Sequence, residues 1–272
     1  YPPVASSPPL RGHARTQEDF SDVQKVGVDE TSSRRGHRYI TVFADLEKAK
    51  VIFATEGKDA QVVVAFKHDL EAHKGQAERV QEVCCDMSPA FIAGFEDFFP
   101  TAQLTFDKFH VTKVLNDAVD QVRREEQRQR PELNKSRYLW LTNPSNLKQR
   151  QKIALDSLTR MNLKTARAYQ LRLTFQDFWA RPQDEAESFL RKWFFWATHS
   201  RLEPMRNAAW TIRRHWQGIL RWFTSRINNG ILEAINGLIQ AMKARARGYR
   251  SNRNLIAMTY LIAGKLRLDL PT

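Results

Sequence analysis

Residues 80–110 read VQEVCCDMSPAFIAGFEDFFPTAQLTFDKFH, and this stretch decides the fold. An apolar run, Val80, Val83, Cys84 and Cys85, ends on Asp86. Ser88 and Pro89 follow as an N-cap and a first helical residue. Phe91, Ile92, Phe95, Phe98 and Phe99 recur at helical spacing until Pro100 stops them. Ala102, Leu104 and Phe106 then alternate as a strand that ends on Asp107, with His110 three residues on. The pattern is strand, crossover helix, strand. Each strand delivers a carboxylate at its C-terminal end, where α/β sheets place their chemistry.

Upstream, Val23, Val26 and Val28 lead into Asp29-Glu30 as a first strand, and residues 31–37 predict a basic, polar turn around Gly36. Residues 39–46 (YITVFADL) form the clearest strand, ending near Asp45 as a turn residue, and residues 51–55 (VIFAT) are its hairpin partner. Residues 59–73 carry Val62, Phe66 and Leu70 at helical spacing, with Asp59 as the cap. Three antiparallel strands followed by alternating helix and strand predict a mixed sheet. Before them, residues 1–16 are rich in Pro and Ser without periodicity, and a disordered tail is expected over residues 1–22.

After His110 the character changes. Residues 111–226 show no convincing strand and read as several helices, with breaks near Pro131, Pro144, Asn162, Pro182 and Pro204. Six of the seven tryptophans lie between Trp179 and Trp222. They fill a helical core or form an aromatic surface that stacks on unpaired bases; bulky aromatics at helical spacing favour the core. Residues 226–255 read RINNGILEAINGLIQAMKARARGYRSNRNL. Asn229 caps a helix whose apolar stripe is expected at Ile231, Ile235, Leu238 and Met242. Asn229, Glu233, Asn236 and Gln240 line a different, polar face, with one carboxylate among amides. Lys243, Arg245, Arg247, Arg250 and Arg253 follow as a basic tract around Gly248.

Lys and Arg exceed Asp and Glu by 43 to 30, a net charge of +13, which favours an acidic polymer as partner, most commonly nucleic acid. No apolar run approaches the length of a membrane span. The only cysteines, Cys84 and Cys85, are adjacent, offer no zinc-like spacing and read as packing residues of a reduced, cytosolic protein. His37, His68 and His73 show no metal-ligand pattern. The chain begins with Tyr1 rather than Met and is read as a fragment. With nucleic acid as partner, the chemistry to weigh is phosphodiester cleavage, which is slow unaided because the diester's negative charge repels nucleophiles. That reaction uses two divalent ions roughly 4 Å apart, held by carboxylates because hard ions prefer oxygen. Asp29, Asp86 and Glu233 are the candidate trio among thirty acids.

Three segments carry a resemblance: GVDETSSRRGHRYITVFADL (27–46), EVCCDMSPAFIAGFEDFFPTAQLTFDKFHVTKVLNDAVDQVRR (82–124) and NNGILEAINGLIQAMKARARGYRSNRNL (228–255). The chain resembles the ISL3 family of bacterial insertion-sequence transposases from about residue 26 to residue 268. The resemblance implies an α/β, RNase H-like mixed sheet with flanking helices, interrupted by a large all-α insertion. It divides the chain into a tail (1–22), the first part of the core (23–112), the insertion (113–226) and C-terminal core helices (227–272). It implies a DDE triad of Asp29, Asp86 and Glu233 binding two Mg²⁺ (or Mn²⁺) ions. Asp107 and His110 match an Asp-x-x-His motif that supports the metal ligands or touches DNA. Lys243, Arg245, Arg247 and Arg250 would contact phosphates. The implied reaction is hydrolysis at transposon ends and attack of the freed 3′-hydroxyl on target DNA, with no covalent protein–DNA intermediate. The implied setting is the bacterial cytoplasm, on nucleoid DNA and away from membranes, as a homodimer or higher oligomer.

The sequence departs from the family twice. Nothing before Val23 resembles the usual N-terminal zinc-binding and helix-turn-helix region, and Gln240 stands where the family pattern has Lys. Two other readings use the same residues: a truncated, inactive DNA-binding remnant, and a structure-selective RNase H-like nuclease.

Overall fold

Strands β1 (Lys25–Arg34), β2 (Arg38–Asp45), β3 (Lys50–Glu56), β4 (Glu82–Cys85) and β5 (Gln103–Phe106) form one sheet in the order β3-β2-β1-β4-β5. The β3-β2 and β2-β1 pairs are antiparallel, and β1-β4 and β4-β5 are parallel. This is the RNase H-like mixed sheet expected from the sequence. The computed structural model describes residues 15–34, 36 and 38–266. Residues 1–14 of the expected tail, and His37, lie outside them. The chain divides into two compact units: residues 1–107 with 227–272, and residues 108–226.

Helices α1 (Gln61–Ala72) and α2 (Pro89–Phe98) are interleaved with the strands of the first unit. The second unit holds α3 (Lys108–Glu126), α4 (Arg137–Leu141), α5 (Gln149–Thr159), α6 (Lys164–Phe178), α7 (Gln183–His199), α8 (Glu203–Arg214) and α9 (Trp216–Ser225). Two helices then complete the first unit, α10 (Gly230–Arg245) and α11 (Asn252–Ala263).

Helices cover both sheet faces, so β2 is buried at every position from Ile40 to Asp45. On one face Phe43 stacks on Phe66 of α1 with ring centroids 4.4 Å apart, and Phe66 stacks on Phe99 beyond α2. On the other, Ile40, Val42, Ala44, Val51 and Ala54 pack with Leu232, Ile235 and Ile239 of α10 and with Leu255 and Ala263 of α11. The hydroxyl of Tyr260 accepts the Ala54 amide at 2.9 Å, which ties α11 to β3.

Three local expectations need correction. Residues 31–34 continue β1 instead of turning, with Thr31 opposite Ile40 and Ser32 opposite Tyr39. The reversal is compressed to a few residues at Gly36, whose φ of +87° suits glycine. Residues 15–22 are not a free tail. Phe20 is 1 % exposed, its amide donates to the His73 carbonyl, and its ring packs on the His73 imidazole. The buried stripe of α10 is Leu232, Ile235 and Ile239; Leu238 is 54 % exposed, and Ile231 and Met242 flank the core. Asp45 is a turn residue as expected, accepting the amides of Glu47 and Lys48.

Cys84 and Cys85 are fully buried in β4. Burial, reinforced by the Asp107 and Asp86 carboxylates among others, pushes both thiols well above their usual range, because the thiolate is disfavoured there. Iodoacetamide at about pH 8 should therefore leave both thiols unlabelled in the folded chain and label both in guanidinium. Labelling of the native protein at a free-thiol rate would remove β4 from the core.

In the second unit α3 packs against α6 and α8. Trp140, Trp179, Trp193 and Trp216 are buried, while Trp196 and Trp210 are about half exposed, so the tryptophans divide between core and surface. Arg172 is buried without an acid: it donates to Asn116 Oδ1, the Leu141 carbonyl and Asn143 Oδ1.

Candidate active site

The parallel strands bring two of the candidate acids together. Gly27 of β1 is level with Cys84 of β4, and Cys84 is level with Thr105 of β5. Two residues further along each chain come Asp29, Asp86 and Asp107, which that register sets in one row across neighbouring strands, roughly 5 Å apart strand to strand. Charge at this edge is felt locally: the Asp107 and Asp29 carboxylates both help to raise the Cys84 thiol.

The polar stripe of α10 meets this edge residue by residue. Asn229 donates its side-chain NH₂ to the Val28 carbonyl at 3.1 Å, and its backbone N–H to Asp107 Oδ1 at 3.2 Å. Asn236 Nδ2 donates to Asp29 Oδ2 at 2.8 Å. Gln240 Nε2 donates to Thr31 Oγ1 and to the Ser32 carbonyl. Glu233 lies one turn after Asn229 and nearly one turn before Asn236, so it shares their face and is exposed on it. The expected side-chain cap at Asn229 is absent: its Oδ1 accepts no hydrogen bond, and its NH₂ turns to the Val28 carbonyl.

Close approach of α10 to β1 depends on Gly27. A Cβ there would lie 2.7 Å from Leu46 Cδ2, 2.8 Å from Leu232 Cδ1 and 3.0 Å from Asn229 Oδ1. Glycine leaves this volume to Leu232, which seats the first turn of the helix.

Asp86 is half-buried, and its Oδ1 accepts the Ser88 amide at 2.9 Å. Asp107 is 2 % exposed and holds the N-terminus of α10, where a carboxylate also complements the helix dipole. His110 falls in the first turn of α3, in the second unit, with its ring edge-on to Phe109. Among the described residues, no three His, Cys, Asp or Glu side chains are drawn together tightly enough to hold a metal ion. The donor chemistry nonetheless suits a hard divalent cation: carboxylates from Asp29, Asp86 and Glu233, with the buried carbonyl oxygens Asn229 Oδ1 and Asn236 Oδ1 accepting no hydrogen bond.

A cleft of about 730 Å³ opens beside the stripe, lined by Ser32, Arg34, Gln240, Lys243, Arg247 and Arg250, among others. Arg245, Arg247 and Arg250 are exposed. Lys243 is more engaged than expected: its Nζ donates to the Ser32 carbonyl at 2.6 Å, and burial lowers its pKa. Arg34 reaches the Tyr249 and Arg250 carbonyls and fixes the loop that carries the arginines. The sequence reading gave no part to Arg34, whose partners lie more than two hundred residues away.

The family model DDE_Tnp_ISL3, described as Transposase, matches residues 26–259. The chain is 30% identical over 251 residues to the transposase for insertion sequence element IS1001 of Bordetella parapertussis, covering 89% of this chain and 61% of that protein. It is 26% identical over 280 residues to the transposase for insertion sequence element IS1557 of Mycobacterium tuberculosis, covering 93% of this chain and 63% of that protein. The chain thus spans about three fifths of the length of these relatives. With the matched region running from β1 into α11, the chain belongs to the ISL3 family of transposases.

Proposed function

We propose that this chain is the catalytic part of an insertion-sequence transposase that cuts DNA at the element's ends and joins the freed strands to target DNA. Asp29, Asp86 and Glu233 would hold two divalent cations, Mg²⁺ or Mn²⁺. The observation that carries this reading is the register that sets Asp29, midway along β1, level with Asp86 just past the end of the parallel strand β4, with Asn229 and Asn236 of α10 bonded to this edge on either side of Glu233. When bound, such ions activate the attacking oxygen and stabilise the leaving one. The protein's own part is positioning. Asn236 holds the Asp29 carboxylate in one orientation, and the amide stripe sets the register of Glu233 along β1. Arg247 and Arg250 along the adjoining cleft, with Arg245 exposed at the end of α10, supply phosphate contacts, which align the backbone without reading its sequence. Holding two ends at once calls for a dimer or higher oligomer on DNA.

The test is nicking of a supercoiled plasmid carrying the element's ends. Nicks should accumulate in millimolar Mg²⁺ or Mn²⁺, vanish with EDTA, and give joined products when target DNA is added. Cleavage indifferent to EDTA would overturn the metal-dependent reading. The loosely spaced acids favour one competitor, a DNA-binding remnant. That remnant would bind with a steep salt dependence and would not cut DNA whichever cation is supplied.

No helix among the described residues is long and apolar enough to cross a membrane.

A further inference from the structure

The solvent face of α8 sets an exposed aromatic among arginines. Pro204, Met205, Ala208, Ala209 and Ile212 turn inward. Arg206, Asn207, Trp210, Arg213 and Arg214 are exposed, with Glu203 at the N-terminal end. At 100° per residue these positions fall on one face, and Trp210 lies near its centre with an arginine on either side. From residue 204 to residue 232 the chain carries Arg206, Arg213, Arg214, Arg221 and Arg226 and no acid.

A single exposed aromatic needs no explanation. Trp210, however, is 52 % exposed and held in place, its ring edge-on to Phe194 of α7 with centroids 5.2 Å apart. Its cationic neighbours are also oriented: the Arg213 guanidinium lies over the Trp216 ring, and Arg214 Nη2 donates to Thr211 Oγ1. Phe195 and Trp196 on α7 add further exposed aromatic surface, 57 % and 48 %. A fixed indole ringed by cations suits a planar, anionic ligand.

We propose that this face binds single-stranded DNA, with an unpaired base stacked on Trp210 and its flanking phosphates on Arg206, Arg213 and Arg214. Duplex DNA keeps its base faces stacked inside, so a protruding indole gains little from it. An unpaired base offers a free face, and stacking of this kind tolerates any sequence. Cutting and joining strands exposes such bases, so the inference rests on the DNA-processing reading above. The amide stripe and its acids belong to the other compact unit and take no part.

The experiment is fluorescence anisotropy with the full chain, a labelled oligothymidylate and a duplex of equal length. Trp210→Ala should weaken the single strand by about tenfold or more and leave the duplex unchanged, while Trp210→Phe keeps most of the affinity. Replacing Arg206, Arg213 and Arg214 by Gln should flatten the single-strand dependence of log K on log salt by about 2. Circular dichroism identical to the parent excludes misfolding. Equal losses for both DNAs, or no loss for either, would overturn the proposal. So would a Trp210→Ala change that turns an oligomer into monomers without touching DNA affinity, since a second copy would then be the occupant. If the Trp210 effect appears in a chain that never nicks plasmid, only the cleavage reading fails.

Discussion

Asp86→Asn should leave the chain folded and lower cation-dependent nicking by about a thousandfold or more, ~4 kcal/mol of barrier. The substitution is nearly isosteric, and the structural duty of Asp86 is to accept the Ser88 amide, which an Asn oxygen also does. What disappears is the formal charge, and a hard cation gives that up at large cost. Asp29→Asn should lower nicking alike, but it also gives up one hydrogen bond, because Asp29 accepts the Glu30 amide on Oδ1 and Asn236 Nδ2 on Oδ2 and an Asn oxygen keeps only one of them. The two substitutions together should cost little more than either alone, since groups that act as one unit are not additive. Stability gives the second readout. Asp86→Asn keeps the acceptor for the Ser88 amide, so its melting temperature should hold. Plasmid nicking and thermal unfolding on the same preparations decide it. Nicking at the parental rate by either variant would take these acids out of the chemistry.

The sequence told more about the strands than about what lies across them. Residues 80–110 were legible because Ser88-Pro89 and Pro100 punctuate them, and because the parallel strands are apolar up to an acid. From there Asp86 and Asp107 fell at strand ends, and Val26 and Val28 pointed to Asp29. The α10 stripe was not legible. Apolar residues at 231, 232, 235, 238, 239 and 242 support two overlapping faces, and local periodicity cannot choose between them. The choice is made by Gly27, some two hundred residues away, whose missing side chain admits Leu232. Phe20 escaped for a related reason: one aromatic among polar residues has no period, and its partner His73 lies just past the end of α1. Glu233 stood out as the one acid on an amide-rich helix face, and the family resemblance singled it out from the other exposed acids. The partners of Asn236 and Gln240 span 207 and 209 residues, beyond any local pattern.

Gly27→Val should cost about 1–3 kcal/mol of stability, the usual range for overpacking a filled site. At roughly 2–4 °C per kcal/mol for a domain of this size, the melting temperature falls by several degrees. The larger loss is in rate, about a hundredfold, because displacing a reacting constellation by ~1 Å is worth that much. The Cβ alone presses on the ends of Leu46, which is half-buried and can turn aside, and of Leu232, so Gly27→Ala should be the milder change. Valine adds two methyl groups beside Leu232 and Asn229, which are 0 % and 1 % exposed and have nowhere to retreat. The first turn of α10 must lift from β1, which strains the Asn229–Val28 bond and carries Glu233 with it. Arg245, Arg247 and Arg250 stand at or beyond the far end of the helix, so duplex affinity should persist while nicking falls. Leu232→Ala in the same chain makes room and should recover part of both the rate and the melting temperature. That recovery separates a displaced helix from a damaged sheet. Parental nicking by Gly27→Val would mean that the seat of α10 on β1 does not position the chemistry, and Glu233 would then lose its claim to the triad.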